Sequence, residues 1–80
     1  MSKPAYLQRV EEEKKDLDVK IQKIRAFDTS QLDQQDRSLL IAQESIMTAY
    51  RNILQQRVDA WERREEQQRR EERRAEAREQ

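Results

Sequence analysis

Leu7, Val10, Lys14, Leu17, Ile21 and Ile24 follow one another at alternating steps of three and four residues. That spacing lines one face of an α-helix and, when sustained, makes a coiled-coil seam. The opposite face of the same stretch, Tyr6 to Phe27, is almost entirely charged. A chain built this way must cover the stripe, and the residues beyond Phe27 supply the cover.

The stripe resumes after an interruption. Asp28, Thr29 and Ser30 each carry a side chain that bonds nearby backbone in competition with helix. A connection is expected at about 28–33, with Asp33 and Asp36 marking the start of a second long helix. At the other end, Ser2 is a cap candidate, and Pro4 suits a first turn, where a missing N–H costs nothing. Within helix 1, Glu11 and Lys15 are spaced as a favourable i,i+4 pair, and Lys20, Lys23 and Arg25 gather toward the end where cations oppose the helix dipole. From Gln34 onward, Leu39, Ile46, Ile53 and Ala60 repeat at seven residues, as do Leu40, Met47, Leu54 and Trp61, with Tyr50 between the two rows. This apolar face is broader than one partner helix requires. It can meet helix 1 on one flank and another protomer on the other.

Beyond Trp61 only Glu, Arg, Gln and Ala occur. Nothing there can be drawn into a core, although Glu65–Arg69 and Glu66–Arg70 are spaced to support a solvated helix. The domain reading is therefore a helical hairpin over 1–61, carrying oligomerisation and ligand binding, and a solvated Arg/Glu tail over 62–80.

Composition narrows the fold and the chemistry further. There is no glycine, cysteine or histidine among the 80 residues, and charged residues make up 42%. Gly-rich phosphate loops and dinucleotide fingerprints are excluded, and no period-two alternation suggests strands. The fold class is all-α: two long amphipathic helices in an antiparallel hairpin. A chain this small, with no disulfide or histidine-held metal to brace it, is expected to self-associate into a helical homo-oligomer. The lack of cysteine suits a reducing cytoplasm, and no segment is apolar and long enough for a membrane span or signal peptide.

The same absences bear on function. Without histidine or cysteine, the usual neutral-pH base and the strongest nucleophile are missing, so no catalytic residues and no cofactor are expected. Glu11, Glu12 and Glu13 point in different directions around a helix and read as a solvated face rather than a metal site. Basic and acidic residues number 17 each and are interspersed, which offers no electrostatic footprint for a polynucleotide. A small anion needs only a few placed cations.

Such cations lie with aromatics on the stripe margins: Tyr6, Arg9, Lys20 and Lys23 in helix 1, and Tyr50, Arg51 and Arg57 in helix 2. Tyr6 and Tyr50 each present a ring for base stacking and a hydroxyl for hydrogen bonding. On spacing alone, Tyr50 is expected to pack in the core. Spacing also sets Arg57 on the buried side, where it needs a phosphate or a neighbour's carboxylate. Lys14, inside the seam, reads as a residue that sets register.

The motifs YxQRV (Tyr6–Val10), LDxKI (Leu17–Ile21) and AYxxxLxxRV (Ala49–Val58) resemble those of the small helical phage proteins that act as anti-CBASS cyclic-nucleotide sponges. The similarity spans about Pro4 to Trp61. It implies a hexamer that binds cyclic dinucleotides, and cyclic trinucleotides at separate pockets, between protomers. The signal is sequestered without cleavage in the cytoplasm of the infected bacterial host, so that defence effectors stay unactivated. By position, Tyr6 would stack a nucleobase, Lys20 would contact phosphates or a base edge, and Arg57 would engage a phosphate from a neighbouring chain. Arg9 would serve a trinucleotide-type pocket, with Lys23, Thr29 and Ser30 as further contacts. The connection between helices is shorter here than the family's usual linker, and the tail lies outside the resemblance. A structural or adaptor coiled coil with no nucleotide ligand is the competing expectation.

Overall fold

A computed structural model describes residues 3–79. Two helices account for nearly all of them: α1, Ala5–Ala26, and α2, Gln34–Glu79. The connector holds its shape through short-range bonds that the sequence anticipates. Asp28 Oδ1 accepts from Ser30 N at 3.0 Å, and the Thr29 carbonyl accepts from Leu32 N at 3.1 Å. Asp33 Oδ1 then accepts the Asp36 N–H at 2.8 Å, a side-chain cap on the first turn of α2. At the start of α1, Pro4 is the capping residue itself rather than a first-turn residue. Its extended backbone leaves its carbonyl to accept from Leu7 and Gln8 N–H. Ser2 lies outside the described residues.

The helices pack antiparallel in strict step. Lys14 Nζ donates to Gln55 Oε1 at 2.7 Å, Arg51 Nε to Asp18 Oδ1 at 2.7 Å, and Arg25 Nε to Glu44 Oε1 at 2.6 Å. Advancing four residues on α1 retreats four on α2, and the next seven retreat seven. Lys14 therefore sits in the seam and marks its register, as its position in the stripe suggested. Glu11 does not pair with Lys15: it reaches back to Lys3 at 2.6 Å, and that bond holds the Lys3 ammonium above its ordinary pKa.

The core is a single layer between the helices. Leu7, Val10 and Leu17 of α1 close on Leu54 and Val58 of α2, with Met47 and Trp61 packed against them. Leu7 and Leu54 are fully buried. Ile21 is buried as well, completing the α1 stripe. Five or six aliphatic side chains burying one seam make a thin core for a chain whose ordering costs roughly 1–2 kcal/mol per residue.

The molecule is a rod of 71 × 17 × 16 Å. Its length is that of α2, whose 46 residues at about 1.5 Å rise span about 69 Å. Because α1 reaches only as far as the Trp61 region, α2 continues alone to Glu79. There Glu66 accepts from Arg70 at 3.4 Å and lies 4.0 Å from Arg69. The apolar rows explain why the helix is packed where it is; the charged pairs explain why it continues once they end.

Candidate functional site

At about 100° per residue, a helix that faces its partner with one stripe has two flanks beside it. In this hairpin the flanks differ. On one, Lys14, Asp18 and Arg25 of α1 meet Gln55, Arg51 and Glu44 of α2, and Gln55 passes the chain of bonds on to Asp59 at 3.0 Å. Its side-chain donors and acceptors are largely used. This is the closed flank.

The other flank carries Tyr6, Arg9, Lys20 and Lys23 from α1, and Tyr50 and Arg57 from α2. Of the site residues expected from the sequence, Thr29 and Ser30 lie apart in the connector, Thr29 half-buried, and Arg51 is spent on the closed flank. Among the described residues, Arg9, Lys20, Lys23 and Arg57 make no ion pair. Arg57 corrects an expectation: it is exposed rather than on the buried side, because Leu54 and Val58 take the inward positions around it. Tyr50 is also not core, being 40% exposed. Its hydroxyl donates to Glu13 Oε1 at 2.7 Å. That bond, with some desolvation, raises the tyrosine pKa, while nearby Arg57 pulls it down.

Glu13 is the residue that sequence reasoning missed. Read with Glu11 and Glu12 as a solvated acidic run, it is instead the carboxylate that occupies Tyr50 on a flank otherwise rich in cations. The two-helix register is the signal that could have found it. Once Lys14 faces Gln55, the neighbouring position 13 must lie on the flank of Tyr50.

These residues do not meet at one point within a chain. Tyr6 and Lys20 are 14 residues apart on one helix, about 21 Å. Instead the register groups them. Tyr6, Arg9 and Arg57 fall within about 9 Å of one another along the axis, and Lys20 lies level with Tyr50. Lys23 belongs to a third place, a cleft of about 410 Å³ at the connector end, between Ile24, Phe27, Leu39 and Leu40. Leu32 closes it from the connector, and Lys23, Asp36 and Gln43 form its polar rim. Thr29 does not line it. Phe27 is 56% exposed, so an aromatic face is available at its mouth. The volume lies within the range of small-ligand pockets.

The open flank is also apolar. Leu39, Ile46 and Ile53 are exposed, Ile46 to 69%, and Ala42 and Ala49 between them are exposed too. Among the described residues no cluster of three or more potential metal ligands occurs, and no helix is long and apolar enough to cross a membrane.

A small helical hairpin that carries unpaired cations and two tyrosines on one flank has the side chains of a binding protein. The family model that matches the chain is Sequestin, over residues 4–60, and the chain belongs to that family. The recognition of phage cyclic-nucleotide sponges from the Tyr6–Phe27 and Ala49–Val58 motifs thus stands, and the protein is a phage sequestering protein. No curated relative and no solved structure matches the chain.

Proposed function

We propose that this protein is a non-catalytic sponge for cyclic oligonucleotide second messengers, cyclic dinucleotides first and cyclic trinucleotides second. It would act in the cytoplasm of an infected bacterium to keep CBASS effectors unactivated. The observation that carries the reading is the asymmetry of the hairpin. Four cations with no ion pair among the described residues lie on the open flank with two tyrosines, while on the closed flank Arg51 and Arg25 are paired with Asp18 and Glu44. A cyclic dinucleotide is a dianion with two flat bases, and it calls for those two elements, charge-assisted bonds to phosphate and ring faces for stacking.

Tyr6 and Tyr50 supply the rings. Arg9, Lys20, Lys23 and Arg57 supply the positive charge, and Thr29 a hydroxyl near the connector. The spread of these groups along the rod, together with the exposed Leu39–Ile53 row, supports pockets formed between protomers of a homo-oligomer, with the hexamer as the state implied by the resemblance. No polynucleotide or membrane partner is part of the reading.

Isothermal titration against cyclic di- and trinucleotides tests it, with cyclic ADP-ribose as a comparator of similar charge and different ring. Submicromolar, saturable binding with intact ligand recovered afterward is expected. A folded oligomer that binds no cyclic nucleotide at micromolar concentration overturns the proposal. Preference for the comparator moves the reading to another class of signal. The second reading, an adaptor coiled coil, draws on the unaccompanied length of α2 beyond Trp61. It requires a simple dimer with no nucleotide affinity.

A further inference from the structure

Past Trp61 the sponge reading gives α2 no task, and the family match ends at residue 60. Seven arginines and seven glutamates follow one another there in short runs, with no lysine. Along the sequence their charges cancel. Around the helix they separate. At about 100° per residue, Arg63, Arg70, Arg74 and Arg78 fall within about 80° of one another, with Gln67 among them. Glu65, Glu72 and Glu76 gather on the opposite side, and Glu66 and Glu71 border the arginine row. The structure shows the same grouping: Arg63, Gln67, Arg70 and Arg74 line one shallow groove of about 450 Å³ along α2, edged by Glu66 and Glu71.

This is not the arrangement that best supports a lone helix. Opposite charges four residues apart stabilise a helix, and like charges at that spacing oppose it. Here Arg70, Arg74 and Arg78 succeed one another at steps of four, as do Glu72 and Glu76. Among the described residues of the tail, Glu66 alone makes ion pairs, with Arg70 at 3.4 Å and Arg69 at 4.0 Å. Arg63, Arg74 and Arg78 are exposed and make none there. An anion laid along the row turns the repulsion between its members into attraction to a common partner.

We propose that the row from Arg63 to Arg78 is a docking surface for single-stranded nucleic acid, held through its phosphates. A basic stripe along one helix is the electrostatic footprint of such a partner. Arginine, used here to the exclusion of lysine, meets phosphate with a planar fork of donors. The row is straight and about 22 Å long, so it follows one strand. A duplex groove would press both flanks of the helix against phosphates, and those flanks carry Glu66 and Glu71. The acidic side, with Glu65, Glu72 and Glu76, turns away from the strand and sets which way the helix lies on it. No aromatic residue occurs beyond Trp61, so the contact stacks no base and is independent of sequence. Because α1 ends level with the Trp61 region, the row is open along its length. This surface is separate from the cyclic-nucleotide flank and does not rest on it.

Fluorescence anisotropy of the full chain with labelled oligouridylate and oligothymidylate, each about 15 nucleotides long, tests the proposal. A dissociation constant of about 1–100 μM is expected near physiological salt. Four phosphate contacts at about −0.7 each give a salt slope of about −3, so affinity falls about fifty-fold between about 50 and 200 mM. The two oligomers should bind within about threefold of each other, since phosphates alone are touched, and a larger preference for either overturns phosphate docking. Arg70→Gln with Arg74→Gln is expected to weaken binding about tenfold or more and to halve the slope, leaving the helical signal and cyclic di-AMP affinity unchanged. Glu72→Gln with Glu76→Gln changes net charge by the same amount on the far side and should shift affinity less than about threefold. If the two double variants shift affinity equally in opposite directions, binding follows net charge and the row is overturned. Absence of binding to both oligomers at about 100 μM protein in about 50 mM salt also overturns it, whatever the protein does with cyclic nucleotides. So does tighter capture by phosphatidylserine vesicles than by either oligomer.

Discussion

Ile53 and Leu54 are neighbours of nearly equal size and opposite circumstance. Leu54 is fully buried between the helices, and Ile53 is 53% exposed on the open flank. The same contrast separates the two flanks as a whole. On the closed flank Asp18, Arg51, Arg25 and Glu44 are matched within the chain; on the open flank Arg9, Lys20, Lys23 and Arg57 are left for something else. A chain with 42% charged residues could have paired these cations, since it has as many acidic residues as basic ones. On the proposed sponge reading, the paired flank belongs to the fold and the open one to the ligand.

The largest effects belong to the seam between the helices. Leu54→Ala removes a fully buried side chain from the core seam, and about 2–5 kcal/mol of stability is expected to go with it. In so thin a core that is enough to abolish the cooperative thermal transition followed by circular dichroism. Ile53→Ala, one residue earlier, should keep the helical signal and lower the assembled mass seen by light scattering. If both variants unfold alike, or Ile53→Ala keeps its full mass, the separation of fold from assembly is broken.

Between the flanks the expected effects are crossed. Arg51→Ala removes an exposed pair with Asp18 and should cost only about 0.2–1 kcal/mol, with no change in nucleotide affinity. Arg57→Ala should do the reverse, leaving the melting temperature within a degree or two while affinity for cyclic di-AMP falls about tenfold or more. Titration calorimetry and thermal melts on the two variants settle the matter together. Equal loss of affinity in both would show that the open flank is not distinct.

The helical tail offers a gentler test. Past Trp61, α2 is supported by pairs such as Glu66–Arg70, each worth about 0.2–0.5 kcal/mol and weakened by salt. Raising the salt to about 1 M should lower the helical signal modestly. Truncation after residue 61 should remove that salt dependence and leave the hairpin folded.

How far the sequence could be read depends on the range of the forces involved. The two helices, the connector near 28–33, the Asp33 cap and the seam position of Lys14 are set by neighbours three or four residues away, and all were legible. Charge partners were legible only in part. Glu11 fits Lys15 by spacing but is taken by Lys3, and Glu13 is taken by Tyr50, because long flexible side chains choose among several reachable partners. Arg57 was misplaced for a related reason. Its distance from Tyr50 is compatible with an inward position, and only the competition with Leu54 and Val58 for the interface turns it outward. The connector-end cleft was not legible at all, since it depends on how the turn carries Leu32 over Phe27 and Leu39. The exposed cations could be named from the sequence; their grouping along the rod required the register.

The smallest effect is expected from pH, and it probes the one bond that the open flank makes internally. The Tyr50 hydroxyl donates to Glu13, and that bond favours the protonated phenol, so the tyrosine pKa is higher in the folded state than in the unfolded chain. A proton held more tightly by the folded state stabilises it below the unfolded pKa, and this contribution is lost as pH rises through the folded value. Wild-type protein should therefore lose a little stability above about pH 10 that Tyr50→Phe does not lose. Ligand binding gives the same bond a second reading. If a phosphate takes the hydroxyl, Glu13 must release it, and Glu13→Gln should tighten nucleotide binding by removing the competing negative charge from a cationic flank. Weaker binding by Glu13→Gln would mean that the carboxylate holds Tyr50 in its binding position, and the open flank would then depend on internal pairing as the closed one does.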